Sequence, residues 1–195
     1  MGDKVVQKNI LLTGPPGCGK STIIEKIMQR INLPCTGFFT REMREKGRRV
    51  GFSIATLDGR RGIMAHIDIR SRYRVGKYGV DLQSIDTIAV PSMIAENDNV
   101  VVVVDEIGKM ECFSAMFRQT LLRVLDSPNT VVGSIALKGD AFVNAIKKRS
   151  DTRLIMVSEK SRDVLAEEVL SSAKQGVTNQ MAPGSEKGGP SLGHL

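Results

Sequence analysis

A chain of 195 residues with 41% hydrophobic and 25% charged residues has room for one ordinary domain, whose core needs no metal or disulfide staple. Its net charge of +7 is matched by the segment from Arg41 to Val80 alone, where eleven Lys or Arg face four Asp or Glu, so a polyanion such as a nucleotide or a nucleic acid is an admissible partner. No apolar run approaches the roughly 20 residues of a membrane span, and Asp3, Gln7 and Asn9 interrupt any signal-peptide core, which leaves a cytoplasmic protein as the expectation, a nuclear one being the other compartment allowed.

In chain order, the apolar run Asn9 to Thr13 predicts a strand that ends in a glycine-rich turn. Lys20 to Ile31 follows with isoleucines 23, 24, 27 and 31 at helical spacing, and Pro34 stops it. From Gly37 to Ile69 apolar and polar residues alternate, punctuated by Gly47 and Asp58-Gly59. This predicts hairpins joining Phe38–Arg41, Val50–Thr56 and Arg61–Ile67. Asp81 to Glu96 reads as helical with a break at Pro91. The five valines Val100 to Val104 predict a central parallel strand buried on both faces. Ser114 to Leu125 reads as a helix capped by Ser114, with Met116, Phe117, Thr120, Leu121 and Leu125 on its inner face. Val131 to Leu137 and Arg153 to Val157 are expected strands, and Asp140 to Lys148 and Ser161 to Ser172 expected helices.

These elements give an α/β layer sandwich, a mostly parallel sheet flanked by helices, with a small antiparallel β insertion at about 36–80 after the first helix. The domain is expected to cover 1–172. From 173 to 195 the chain turns polar and rich in Gly, Pro and Ser, a composition that cannot offset its ordering entropy, so a disordered tail is expected there. Three cysteines without a C-x-x-C pair, beside two histidines, point to free thiols and away from a zinc site.

Gly14-Pro15-Pro16-Gly17-Cys18-Gly19-Lys20-Ser21 matches G-x-x-x-x-G-K-S/T and lies between the first strand and first helix, the context that confirms a phosphate loop. Glycines let successive N–H groups turn inward onto phosphates, and the following helix adds its positive end. Gly14 to Ser21, with Thr22, are the candidate nucleotide-binding residues; Lys20 is placed on the β- and γ-phosphates, and the Ser21 hydroxyl on Mg²⁺. Alkylation of Cys18 inside this loop is expected to block nucleotide binding.

The valine strand ends at Asp105-Glu106. Asp105, at the carboxyl end of a buried strand, is the expected acid holding Mg²⁺, and Glu106 the candidate base that orients and deprotonates water in line with the γ-phosphate. Among weaker candidates, Arg74 and Lys77 are placed to reach the γ-phosphate, and Lys109 to neutralise phosphate charge or pair with Glu111. Arg41 and Arg44 read as exposed hairpin charges, and Phe38 and Phe39 as core. No strong arginine finger is evident, which predicts slow turnover unless a partner supplies one.

Taken together, GPPGCGKST, TREMREKGRRVGF, RVGKYGVDL and VVVVDEIGKMECFS, in this order and spacing, resemble the cancer-related or thermophile (THEP-type) nucleoside-triphosphatases from about Lys8 to Leu170. The resemblance implies a RecA-like P-loop fold and Mg²⁺-dependent hydrolysis of ATP, GTP and other nucleoside triphosphates with little base preference. It departs from that pattern in Ser21, where the family commonly has Thr, and in Ser161-Arg162-Asp163, which lacks the family's Asn. The nucleoside triphosphate is the expected partner, with a monomer as the expected state. Two other functions remain open on the residues alone: a nucleotide or small-molecule kinase with the insertion as its lid, and a nucleotide-dependent switch or nucleic-acid-associated module that uses the basic insertion as its contact surface.

Overall fold

Asn9–Thr13 forms β1 and is buried along its whole length, the outcome expected of a short apolar run ahead of a glycine-rich turn. The computed structural model to which it belongs describes residues 7–158 and 162–181. Helix α1 (Lys20–Met28) buries Ile23, Ile24 and Ile27. It ends three residues before the expected Ile31: the Arg30 N–H turns back onto the Ile27 carbonyl at 3.0 Å and tightens the last turn, and beyond it Asn32 takes a left-handed φ of 45°, a conformation that Asn accepts more readily than most residues. Ile31 stays in the core beyond the helix end.

The insertion grows directly out of the central sheet. Strand β2 (Cys35–Glu45) runs parallel to β7 (Val101–Ile107) from Cys35 to Phe39, and antiparallel to β3 (Arg48–Thr56) from Phe38 to Glu45. Gly37 is required where β2 meets β7: its φ is 115°, and a Cβ there would lie 1.9 Å from the Val103 carbonyl oxygen. Strands β4 (Arg61–His66), β5 (Arg74–Val75) and β6 (Tyr78–Val80) complete an antiparallel meander. With β8 (Thr130–Ile135) and β9 (Thr152–Met156) the nine-stranded order is β5-β6-β4-β3-β2-β7-β8-β1-β9. The parallel part is β2-β7-β8-β1-β9, so one strand, β8, separates the phosphate-loop strand from the valine strand.

Alternation along β7 explains its unbroken valines. Val102 and Val104 pack in one core layer while Val101 and Val103 pack in the other. The second layer is closed by α1 and α6 (Arg162–Met181). The first is closed by α4 (Ala115–Asp126), by α5 (Ala141–Lys147), and by the helical stretch made of α2 (Leu82–Ser84), π-helical Ile85–Ala89 and α3 (Val90–Ser92). That stretch does not break at Pro91. The departure from α geometry falls a turn earlier, in the π segment, and Pro91 sits within the last short turn. Ser114 caps α4 as expected, accepting the Phe117 N–H at 2.9 Å. The buried face of α4 is Phe117, Leu121, Val124 and Leu125, whereas Met116 is half exposed. The i, i+4, i+7, i+8 stripe excludes its neighbour at i−1.

Helix α6 continues to Met181, past the expected start of the tail at 173. Ala166, Val169, Leu170 and Ala173 form an i, i+3, i+4, i+7 stripe that is buried in the second core layer, and this packing outweighs the polar character of the sequence there. The remainder of the expected tail, 182–195, and Ser161 lie outside the described residues.

Candidate active site

The turn between β1 and α1 carries Gly14, Gly17 and Gly19 at φ values of 155°, 76° and 102°. Gly14 has no room for a side chain, since a Cβ would fall 2.5 Å from the Val157 carbonyl oxygen and 2.9 Å from Cys18 Sγ. The Cys18 N–H donates to the Pro15 carbonyl at 3.3 Å, and α1 starts with Ile23 N–H donating to Gly19 at 3.0 Å. Lys20 is buried, and its ammonium donates to the Gly14 and Pro15 carbonyls at 3.1 and 3.2 Å. The loop is thus wrapped round its own lysine, with the N-terminus of α1 directed at the same space. The Cys18 side chain belongs to the core layer beneath the loop and is buried, so its thiol faces protein and not the cleft.

At the end of β7, Asp105 pairs in register with Phe39, and the β7–β8 ladder slips between Val104 and Ile107, which takes Asp105 and Glu106 out of the regular pairing. Asp105 is buried. Its Oδ1 accepts the Ser134 hydroxyl from β8, and its Oδ2 has no hydrogen-bond partner among the described residues. Burial raises its pKa, opposed by the Ser134 and Ser21 hydroxyls and by the charges of Arg41 and Lys20. Glu106 is also raised by burial; Lys20 opposes the shift and Asp105 adds to it. A third carboxyl, Glu111, is fully buried at the turn after β7. It accepts the Gly108 N–H at 3.2 Å and is pushed up to about 8, by burial first and then by the charge of Glu106. Gly108 separates the two glutamates: a Cβ there would meet Glu111 Oε2 at 2.9 Å and Glu106 Oε1 at 3.3 Å.

One cleft of about 540 Å³ holds the loop residues Pro16, Gly17, Gly19, Lys20, Ser21 and Thr22 together with Glu106 and Lys109. The structure therefore brings Lys109 to the site. It does not bring Arg74 or Lys77 to the cleft lining: the Arg74 guanidinium donates to the Lys77 carbonyl at 2.8 Å, and the Lys77 ammonium lies 5.4 Å from the Tyr78 ring centroid. Between them Val75 faces the cleft. The rest of the lining includes residues that the sequence reading did not place at the phosphate loop: Glu42, Arg49, Phe52 and Met64 from the insertion, while Glu111, read only as a partner for Lys109, lies beside Glu106. Period-two alternation in β3 placed Phe52 on one face of the hairpin; only the pairing of β2, β3 and β4 shows that this face turns toward the phosphate loop.

The donor set fits Mg²⁺. Asp105 Oδ2 is a buried, unpartnered carboxylate oxygen, and the Ser21 hydroxyl lies close enough to affect the proton affinity of that carboxylate. Mg²⁺ takes hard oxygen donors, one or two carboxylates supplemented by substrate phosphates and water. Among the described residues no cluster of three or more His, Cys, Asp or Glu that could hold a metal occurs. None of the described helices is long and apolar enough to cross a membrane.

A family model described as NTPase matches residues 9–170. The chain is 45% identical over 166 residues to nucleoside-triphosphatase THEP1 of Thermotoga sp. (strain RQ2), covering 85% of this chain and 95% of that protein. It is 36% identical over 180 residues to the human cancer-related nucleoside-triphosphatase, covering 84% and 95% respectively. Among solved structures, the crystal structure of THEP1 from Aquifex aeolicus superposes with a TM-score of 0.76 at 34% identity, over 84% of this chain and 97% of that one. The solution structure of a human cancer-related nucleoside triphosphatase gives 0.74 at 35%, over 86% and 97%.

Proposed function

Because the chain belongs to the NTPase family and is a nucleoside-triphosphatase of P-loop fold, we propose that it hydrolyses ATP, GTP and other nucleoside triphosphates with Mg²⁺ and little preference for the base, Glu106 acting as the general base. The observation that carries this reading is the position of Glu106: it follows the buried Asp105 at the end of β7 and lines the same cleft as Lys20 and Ser21. Breadth of base preference follows from the loop itself. Its backbone groups are aimed at phosphates, which carry no information about the base.

In this mechanism the triphosphate lies along Gly14 to Thr22, and Lys20 exchanges the Gly14 and Pro15 carbonyls for β- and γ-phosphate oxygens. Ser21 and Asp105 would hold Mg²⁺, which would supply Lewis-acid stabilisation of the phosphate charge. Glu106 orients a water molecule and takes its proton as the water oxygen bonds to the γ-phosphorus and the bond to the β–γ bridging oxygen breaks. Ser134 fixes Asp105 through Oδ1, leaving Oδ2 as the oxygen that would be free for a cation. Lys109, at the cleft rim, lowers the negative potential of the bound phosphates.

The test is phosphate release from ATP, GTP, CTP and UTP with Mg²⁺, in wild type and Glu106→Gln. Release from several nucleotides, lowered at least about 100-fold in the variant with affinity nearly kept, is expected. A variant that releases phosphate at the wild-type rate would remove Glu106 from the chemistry. A second reading, phosphoryl transfer to a small acceptor, draws on Phe52, Met64 and Val75, an apolar wall that a reaction with water alone does not need. It requires that a hydroxyl compound depress phosphate release while nucleoside diphosphate formation continues.

A further inference from the structure

Resting on the reading of this cleft as the hydrolytic site, we propose that Arg49 of the insertion is a catalytic residue, its guanidinium binding the γ-phosphoryl oxygens as charge spreads over them. Phosphoryl transfer through a loose transition state places charge on three equatorial oxygens, and a cation facing them is what an arginine finger supplies. The phosphate loop and Lys20 occupy one wall of the cleft. On the wall built by the insertion, Arg49 is the basic side chain, so the cation comes from the same polypeptide.

Arg49 is held as such a role requires. Its Nε donates to the Tyr78 hydroxyl at 3.0 Å, and its Nη1 donates to Glu42 at 2.6 Å. The guanidinium lies 5.2 Å from the Phe52 ring centroid and 5.7 Å from that of Tyr78, and these two rings meet edge to face at 5.3 Å. Those contacts use Nε and one terminal nitrogen. The other, Nη2, makes no hydrogen bond among the described residues and leaves two N–H groups for a planar phosphoryl group. A donor fixed before the reaction requires no reorganisation at the moment charge develops.

Other basic residues of the insertion are placed differently. Arg41 stacks 5.1 Å from the Phe39 ring centroid and pairs with Glu25 of α1; its charge reaches Asp105, but it does not line the cleft. Arg74 and Lys77 are turned to their own hairpin. Arg44 shares the Glu42 carboxylate and does not line the cleft. A purely structural account of Arg49, as a clamp tying β3 to β6 through Tyr78, predicts loss of stability without a selective loss of turnover.

The experiment uses the full chain with Mg²⁺ and ATP. It reads kcat, the Kd of a non-hydrolysable ATP analogue, and the capture of ADP with aluminium fluoride, which mimics the planar phosphoryl group. For Arg49→Ala, kcat is expected to fall about 10²–10³-fold. Analogue affinity should stay within about threefold, aluminium fluoride capture should be lost, and added guanidinium ion should restore part of the rate. Arg49→Lys keeps the charge and the Glu42 pair, so it remains informative if Arg49→Ala unfolds; its kcat should be at least about tenfold low, because an ammonium lacks the planar fork. Arg48→Ala, on an exposed neighbour outside the cleft, is the control expected at the wild-type rate. Wild-type kcat in Arg49→Lys, or analogue binding lost in parallel with kcat in a folded Arg49→Ala, overturns the proposal, as does a loss of kcat found in Arg41→Ala but not in Arg49→Ala. The base is read separately: an active Glu106→Gln beside a slow Arg49→Ala would remove Glu106 and leave Arg49 standing.

Discussion

Glu111 is a buried carboxyl group that, among the described residues, accepts backbone N–H groups, one of them from Gly108 at 3.2 Å. Two effects compete for its proton. Hydrogen bonds to the charged form lower the pKa, while burial and the nearby Glu106 raise it, and the raising effects win, to about 8. The folded protein therefore binds a proton that the unfolded chain releases above its ordinary value of 4.5. For an acid shifted upward, the contribution to stability is fully present below 4.5 and is lost as pH rises through about 8. Glu111→Gln keeps the shape and removes the titration. The fall in Tm of wild type between pH 6 and 9 should accordingly be flatter in the variant, whose relative stability is greatest at the alkaline end. Parallel Tm curves for the two proteins across that range would show that Glu111 does not titrate there. The same residue shows where sequence reading stops. The spacing of Glu111 from Asp105 was visible, but its complete burial against Gly108 comes from the turn after β7 closing onto the core. Gly14 to Ser21 were legible because the loop's requirements, glycines and a lysine at fixed offsets, are local. Arg49 and Glu42 were hidden among eleven basic and four acidic residues of an insertion whose facing side only tertiary pairing decides.

Between elements, the junction of β2 with β7 decides whether the insertion reaches the site at all. β2 is parallel to β7 for its first five paired residues and antiparallel to β3 beyond, so its direction at Gly37 sets where Glu42, Arg49 and Phe52 arrive. Adding a methyl group at Gly37 combines a φ of 115° with a Cβ 1.9 Å from the Val103 oxygen, and backbone on both strands must part to admit it. Gly37→Ala is expected to cost at least about 3 kcal/mol. Because the displaced strand carries the far wall of the cleft, it should also lower phosphate release in whatever folded fraction remains. Denaturant unfolding and a specific activity corrected for that fraction are the two measurements; a change under about 0.5 kcal/mol would show the junction to be compliant. The strands and helices themselves were largely readable, since apolar period and capping residues such as Ser114 act locally. Their edges were less so. α1 ended early and α6 continued through Ala173, because a tightened last turn at Arg30 in one case and burial against α1 in the other overrode the pattern.

For the whole molecule, the proposed nucleotide site is spread over parts distant in sequence: the loop after β1, the end of β7, Ser134 on β8, and the insertion. A ligand that engages these parts together stabilises only the chain in which they are assembled, by about 2.7 kcal/mol at a hundred times its Kd. Mg²⁺ with a non-hydrolysable nucleoside triphosphate should thus raise Tm, and the size of the rise sorts the residues by role. In Glu106→Gln the shift should persist, since that side chain acts on water and not on the phosphates. It should largely disappear in Lys20→Ala, where the loop loses the charge that its Gly14 and Pro15 carbonyls hold in place. Chelating the cation should reduce the shift in wild type but change little in Asp105→Asn. The amide there still fills the space beside Ser134 but no longer offers an anionic Oδ2, so the cation's share of the binding energy is already gone. An Asp105→Asn protein whose shift remains as sensitive to chelation as wild type would place the cation elsewhere, and with it the half of the mechanism that depends on the end of β7.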